Sequence, residues 1–267
     1  MIDLNVIDGV ATVTLCRGPV NAISAAWIEL FDKRLDEIGR RGDVGVLHIR
    51  SDQNVFCAGA DLDEVSERFA SPRGGELMHD YVRRIQALFA RVERLSCVTV
   101  AELGGAAVGG GLELALCCDL RLAAEHAKVG LPEVRLGLLP GAGGTQRLAR
   151  LCGPGVAARL ILGADLITGA EAARLGIVHE AVEASCLTAR AADLVARIAG
   201  LPSTALAEAK TCIAAALCAG DTGFFLELDA TRRLFDMPET RERIRAFLTR
   251  QTSPLPGPAT VADQNQT

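Results

Sequence analysis

Gly130-Leu131-Pro132-Glu133-Val134-Arg135-Leu136-Gly137-Leu138-Leu139-Pro140-Gly141-Ala142-Gly143-Gly144-Thr145-Gln146-Arg147-Leu148 is the most informative run in this chain of 267 residues. Its first half is largely apolar and is interrupted by Pro132, with an acid directly after the proline. Its second half is a glycine cluster that leads into a helical pattern. Two runs upstream share the character: Phe56-Cys57-Ala58-Gly59-Ala60-Asp61-Leu62 and Gly109-Gly110-Gly111-Leu112-Glu113. Glycine permits unusual φ values and lets main chain approach a ligand closely. The first turn of a helix adds unpaired N–H groups and positive dipole character. Each junction is therefore suited to negative charge.

A nucleotide phosphate loop is the first class to weigh, and the sequence argues against it. No glycine-lysine pair precedes a Ser or Thr, as the P-loop pattern requires. No G-x-G-x-x-G opens a helix after the first strand, where a dinucleotide fold would carry it. The glycines come mid-chain, and one cluster carries a glutamate two residues on.

Outward from these runs the chain alternates strands and helices. Residues 2–7 and 10–16 read as a hairpin joined by Asp8-Gly9. Residues 24–41 have apolar positions at Ile28, Phe31, Leu35 and Ile38, the spacing of a helix. Residues 44–49, 97–103 and 120–123 read as strands, and the polar stretch 74–95 between the first two reads as a helix. This alternation predicts a layered α/β fold. From about Ala184 the character changes. Residues 184–200, 203–219, 223–236 and 239–250 all read as helices, separated by Pro202, Gly220-Asp221 and Pro238. The domain expectation is a core over 1–195, a helical oligomerisation or capping region over 196–251, and a disordered tail over 252–267. That tail is rich in Pro, Thr and Gln.

Composition narrows the function classes. There are 28 Lys and Arg against 33 Asp and Glu, with few aromatics and no basic run, so the footprint of a nucleic-acid binder is missing. The nine cysteines are odd in number and form no C-x-x-C pair, which points to reduced, buried thiols and not to disulfides. The four histidines are scattered, and no metal site is expected. Met1 leads straight into a strand, with no secretory signal pattern, and no run reaches the roughly 18 apolar residues of a membrane helix. The expectation is a cytoplasmic protein with no membrane or nucleic-acid partner.

On the three glycine runs together with Pro19-Val20-Asn21-Ala22 and Cys118-Asp119, the chain resembles the crotonase, or enoyl-CoA hydratase/isomerase, family. The blocks appear in family order, and the resemblance covers roughly residues 2–250. It implies a crotonase-like spiral of ββα repeats with a C-terminal helical appendage, and assembly as a homotrimer or homohexamer. It also implies hydration of the 2,3 double bond of a 2-enoyl-CoA thioester, with CoA arriving as part of the substrate and no separate cofactor.

The same resemblance assigns residues. The main-chain N–H groups of Ala60 and Gly110 would cradle the thioester oxygen, and Glu113 and Glu133 would share the proton transfers to and from one water. Ala22, Ala58 and Ala60 would lie along the CoA moiety. Glu113 falls in a first helical turn, which favours its ionised form. Taken alone, Glu113 would be a dipole-compensating surface acid and Glu133 an exposed loop acid; their co-occurrence with the glycine blocks reverses that reading. Asp61 reads as a helix cap, Asp119 and Arg147 as structural, and Cys57 and Cys118 as packing residues.

Three segments depart from the family pattern. Leu103-Gly104-Gly105-Ala106 stands where Val-Asn-Gly-Tyr is common. The 62–95 segment is longer than in compact members and includes Ser71-Pro72-Arg73-Gly74-Gly75, which reads as a mobile loop. Glu239-Thr240-Arg241-Glu242-Arg243 replaces a commoner Glu-Gly pattern. Two rival functions stand beside hydration. A Δ3,Δ2-enoyl-CoA isomerase needs the same amide cradle but one base. A non-catalytic acyl-CoA-binding protein on the same fold needs neither acid, since fold alone does not fix function.

Overall fold

The computed structural model describes residues 1–216 and 222–252, with the backbone alone for 247–252. Strands β1 (Ile2–Ile7) and β2 (Val10–Leu15) pair antiparallel. Asp8 and Gly9 join them, both with positive φ (48° and 76°), the backbone that the tightest right-twisted hairpins demand. Helix α1 (Ala25–Gly39) follows, capped by the Ser24 hydroxyl, which accepts from the Trp27 N–H. Its residues Trp27, Ile28, Phe31, Leu35 and Ile38 recur three and four apart, so one face is buried. The Trp27 and Phe31 rings meet edge to face, 5.0 Å between centroids.

The chain then winds in repeated coils. The first holds β3 (Val46–Ser51), β4 (Val55–Cys57), α2 (Leu62–Phe69) and α3 (Gly74–Glu93). The second holds β5 (Val98–Leu103), β6 (Ala106–Val108) and α4 (Gly110–Leu116). The third holds β7 (Leu120–Ala124), β8 (Lys128–Gly130), a 3-10 turn (Glu133–Leu136) and α5 (Gly144–Leu162). Then come β9 (Ile167–Thr168), α6 (Gly169–Arg174), β10 (Glu180–Val182) and α7 (Ala184–Ala199). Within each coil the first strand joins a six-stranded sheet, ordered β1-β2-β3-β5-β7-β10. The second joins a four-stranded sheet, ordered β4-β6-β8-β9. This is the expected spiral of ββα repeats.

The sequence pattern found five strands of the six-stranded sheet, missing the three-residue β10, and none of the second sheet. Strands β4, β6 and β8 are three residues each, too short to display an alternation. The expected mobile loop at residues 71–75 is corrected. Gly74 and Gly75 begin α3, and a Cβ on Gly74 would run into the Arg68 carbonyl, so the glycine serves a close turn between two helices.

All six residues of β5 are buried, as befits a parallel strand covered on both faces. On one face Val46, Val98, Val100 and Leu122 meet Leu187, Ala191 and Val195 of α7. Each large aliphatic or aromatic side chain so enclosed contributes about 1.5–3 kcal/mol. Among the described cysteines none forms a disulfide, and Cys57, Cys97, Cys117 and Cys118 are buried. Burial pushes the Cys57 thiol up to about 12, so it is inert packing.

One compact unit spans Met1–Ala207 and a second begins at Glu208, so α7 runs across position 195 and α8 (Ser203–Ala215) across the division. In the second unit α9 (Thr222–Asp236) packs on α10 (Pro238–Thr252), and Arg233 pairs with Glu208 at 2.8 Å. The tail expectation, 252–267, lies outside the described residues apart from Thr252, which closes α10. Among the described residues no helix is long and apolar enough to cross a membrane.

Candidate active site

The carboxyl ends of β4, β6 and β8 open on one cavity of about 1140 Å³. Ala22, Ala58, Ala60, Gly110, Glu113 and Glu133 all line it. The six residues that the resemblance assigned to the site thus line one cavity, all but Ala22 within about five residues of the end of β4, β6 or β8.

The first wall follows β4. Ala58 N–H donates to the Val20 carbonyl (3.0 Å), Ile23 N–H to Gly59 (2.8 Å) and Asp61 N–H to Ile23 (2.9 Å). The Ala60 N–H lies outside this ladder. The second wall follows β6, where Gly109 turns with φ 56° and Gly110 opens α4. As the first residue of that helix, Gly110 has no intrahelical acceptor for its N–H. The two walls touch. A Cβ on Gly59 would stand 3.1 Å from the Gly110 nitrogen, and one on Gly110 would stand 3.7 Å from the Ala60 nitrogen and 2.9 Å from Ile23 Cδ1. Only glycine lets these two peptide groups lie so near each other.

Glu113 follows in the same first turn of α4 and is 3% exposed. Its Oε1 accepts from the Gly144 N–H at 2.7 Å. Burial raises its proton affinity; the Gly144 N–H opposes the rise, the Glu133 charge adds to it, and the carboxyl is pushed up to about 7. This corrects the expectation that the helix start favours the ionised form, because removal from water outweighs the dipole. Glu133 stands in the 3-10 turn after Pro132. A Cβ on Gly109 would lie 3.0 Å from its Oε1, so Gly109 makes room for the acid as well as for the turn. Its Oε2 is buried with no hydrogen-bond partner among the described residues, and burial raises this carboxyl too.

Three positioning features escaped the sequence reading. Arg17 donates to the Ala22 carbonyl (2.7 Å) and to Asp61 Oδ2 (2.6 Å), clamping the Ala22 strand-helix junction against the start of α2. Buried Asn21, at φ 52°, accepts from the Arg17 N–H and donates to the Phe56 carbonyl. Gly144 supplies the N–H that holds Glu113. The signal for Gly144 was present in the glycine cluster; a lone arginine at position 17 carries none. Asp61 does cap α2, accepting from the N–H groups of Asp63 and Glu64. Burial works against its charge, but Arg17 and those N–H groups prevail and hold it below the usual carboxylate range. Asp119 accepts from the Thr99 N–H and hydroxyl and so ties β5 to the residue before β7. Phe69, Met78, Val82, Ile85 and Leu139 give the cavity an apolar side.

Two adjacent main-chain N–H groups, one buried acid and one half-buried acid around an apolar cavity define a class of site. It can hold a developing oxygen anion and exchange protons beside it. Among the described residues no three His, Cys, Asp or Glu side chains stand together as metal ligands would.

A family model described as Enoyl-CoA hydratase/isomerase matches residues 6–255. A Bacillus subtilis protein named a probable enoyl-CoA hydratase is 36% identical, over 96% of this chain and 98% of its own length. An Arabidopsis thaliana protein named a probable mitochondrial enoyl-CoA hydratase 2 is 42% identical over 72% of this chain, a match spanning 62% of the plant protein. A solved structure of an enoyl-CoA hydratase from Bacillus anthracis superposes with a TM-score of 0.87 at 33% identity, covering 96% of this chain and 99% of that one. The chain belongs to the enoyl-CoA hydratase/isomerase, or crotonase, family, whose members act on acyl-CoA substrates.

Proposed function

We propose that this protein is a hydratase that adds water across the 2,3 double bond of a 2-enoyl-CoA thioester. The observation that carries the reading is the presence of two acids, buried Glu113 and half-buried Glu133, on the cavity where the Ala60 and Gly110 peptides lie side by side. In conjugate addition water attacks C3 and negative charge gathers on the thioester oxygen. The Ala60 and Gly110 N–H groups are placed to receive that charge, and the loss of one such donor costs about 10²–10³ in rate elsewhere. Water must lose a proton and C2 must gain one; two acids share these tasks. A carboxyl near neutrality, as Glu113 is, both gives and takes protons readily. Ala22 and Ala58 line the approach for the CoA arm, and CoA enters as part of the substrate, with no separate cofactor in the reaction.

The test is hydration of crotonyl-CoA, followed as loss of the enoyl-thioester absorbance. Wild type consumes it. Glu113→Gln and Glu133→Gln each lose about 10²–10⁴ in kcat, with KM changed only a few-fold, because the acids act mainly in the transition state. Conversion of a 3-enoyl-CoA to an unhydrated 2-enoyl-CoA would replace this reading with an isomerase. Unchanged turnover in both variants would remove the acids from the mechanism. The reading includes a cytoplasmic location, which cell fractionation tests.

A further inference from the structure

Arg147 lies one turn into α5 and takes no part in the mechanism above. Its side chain is 15% exposed. Nη1 donates to the Ala142 carbonyl at 3.0 Å, and Nη2 and Nε reach the two oxygens of Glu93, the last residue of α3, at 2.9 and 3.3 Å. Gly143 turns with φ 108°, a backbone that favours glycine, and the Arg147 guanidinium lies where a side chain there would stand. A second tether from α3 holds the same turn, since Gln86 Nε2 donates to the Gly141 carbonyl. The next residue, Gly144, presents its N–H to Glu113 Oε1. A continuous set of contacts therefore runs from Glu93 through Arg147 and the 142–144 turn to the acid.

We propose that Arg147, braced by Glu93, is a positioning residue for Glu113: it fixes the turn that donates to the carboxylate and brings a positive charge to that side of the acid. The inference rests on the hydratase reading for its kinetic consequence and on geometry alone for its effect on Glu113. The charged or titratable groups facing Glu113 are Glu133 from the 3-10 turn and Arg147 from α5; Arg147 in turn faces Glu93 and Cys117. Burial and Glu133 both favour the protonated acid; the main-chain N–H groups of Gly144 and Ala142 oppose them, and Arg147, which holds that turn, adds a smaller opposing charge. Arginine suits the task because its planar fork serves a carbonyl and a carboxylate together, which the point charge of a lysine does not.

The experiment follows the Glu113 carboxyl by carbon NMR in protein labelled at glutamate side chains, with Glu113→Gln assigning the signal. In Arg147→Gln the Glu113 titration midpoint lies higher by about 1 on the pH scale, the size expected for loss of a nearby opposite charge. Hydration of crotonyl-CoA by this variant falls about fivefold at pH 7 and recovers at higher pH, KM staying within about twofold, because moving the midpoint up from about 7 by about 1 lowers the ionised fraction of a required carboxylate by that factor. Arg147→Lys restores part of the midpoint. Glu93→Gln leaves the buried arginine in place and removes only a half-exposed partner, so it serves where Arg147→Gln does not fold. It moves the midpoint downward, because the arginine no longer shares its charge. A Glu113 midpoint unmoved in both Arg147→Gln and Glu93→Gln overturns the proposal while leaving the hydratase reading intact. A midpoint that moves in a protein whose wild type hydrates no enoyl-CoA overturns the hydratase reading, and the role of Arg147 in that reaction with it.

Discussion

Glu113 is an acid that the fold keeps out of water and then partly compensates. One N–H at 2.7 Å does not offset its burial, so it holds a proton that the unfolded chain would release. Its folded value, about 7, lies above the ordinary 4.5. The folded state therefore binds more protons across that window, and this group's contribution to stability falls as pH rises from about 4.5 to about 7. Glu113→Gln does not titrate and keeps an acceptor for the Gly144 N–H. It should be more stable than wild type by roughly 3 kcal/mol at pH 8, with the difference closing below pH 4.5, measured by urea unfolding across pH. No gain at pH 8 would mean that the carboxylate is ionised at little cost. The identity of the acid was legible in the sequence; its protonation was not. Protonation depends on burial against the turn that holds Gly144, 31 residues away along the chain.

At the scale of elements, the long helices and the strands of the larger sheet follow from their own apolar spacing. The Asp8-Gly9 hairpin, the 15-residue α1 and the 20-residue α3 are examples. The strands that carry the site did not follow, because three residues of β4, β6 or β8 hold no period to read. Their positions were marked instead by the glycines beyond their ends. Gly144 shows why such a residue matters. A Cβ there would lie 2.9 Å from Glu113 Oε1 and 2.9 Å from Pro140 Cβ. Gly144→Ala should leave the far-ultraviolet circular dichroism unchanged and lower kcat for enoyl-CoA hydration by about 10–10²-fold, since displacement of a catalytic group by a fraction of an ångström to 1 Å costs that much. Full activity in this variant would show that the turn yields without disturbing the acid.

At the scale of the molecule, the second unit leaves Phe224, Phe225, Leu228 and Phe235 between 62% and 69% exposed. Such large apolar groups on neighbouring helical turns suit an interface between copies. The expected assembly is a homotrimer or homohexamer, and light scattering at micromolar concentration should return three or six times 28.1 kDa. A monomer mass would end that expectation. Amphipathic spacing in 203–219 and 223–236 did not distinguish an interface from internal packing, because both bury one stripe of a helix.

The spiral sets the site out one group per coil. The Ala60 peptide follows β4, Gly110 with Glu113 follows β6, and Glu133 follows β8, three parallel neighbours in one small sheet. Adjacent strands stand about 4.8 Å apart, so the backbone sheet itself spaces the reacting groups like rungs. Chemistry of this kind is editable in instalments: in the hydratase reading, exchanging Glu133 beyond β8 leaves the proposed anion cradle after β4 and β6 untouched.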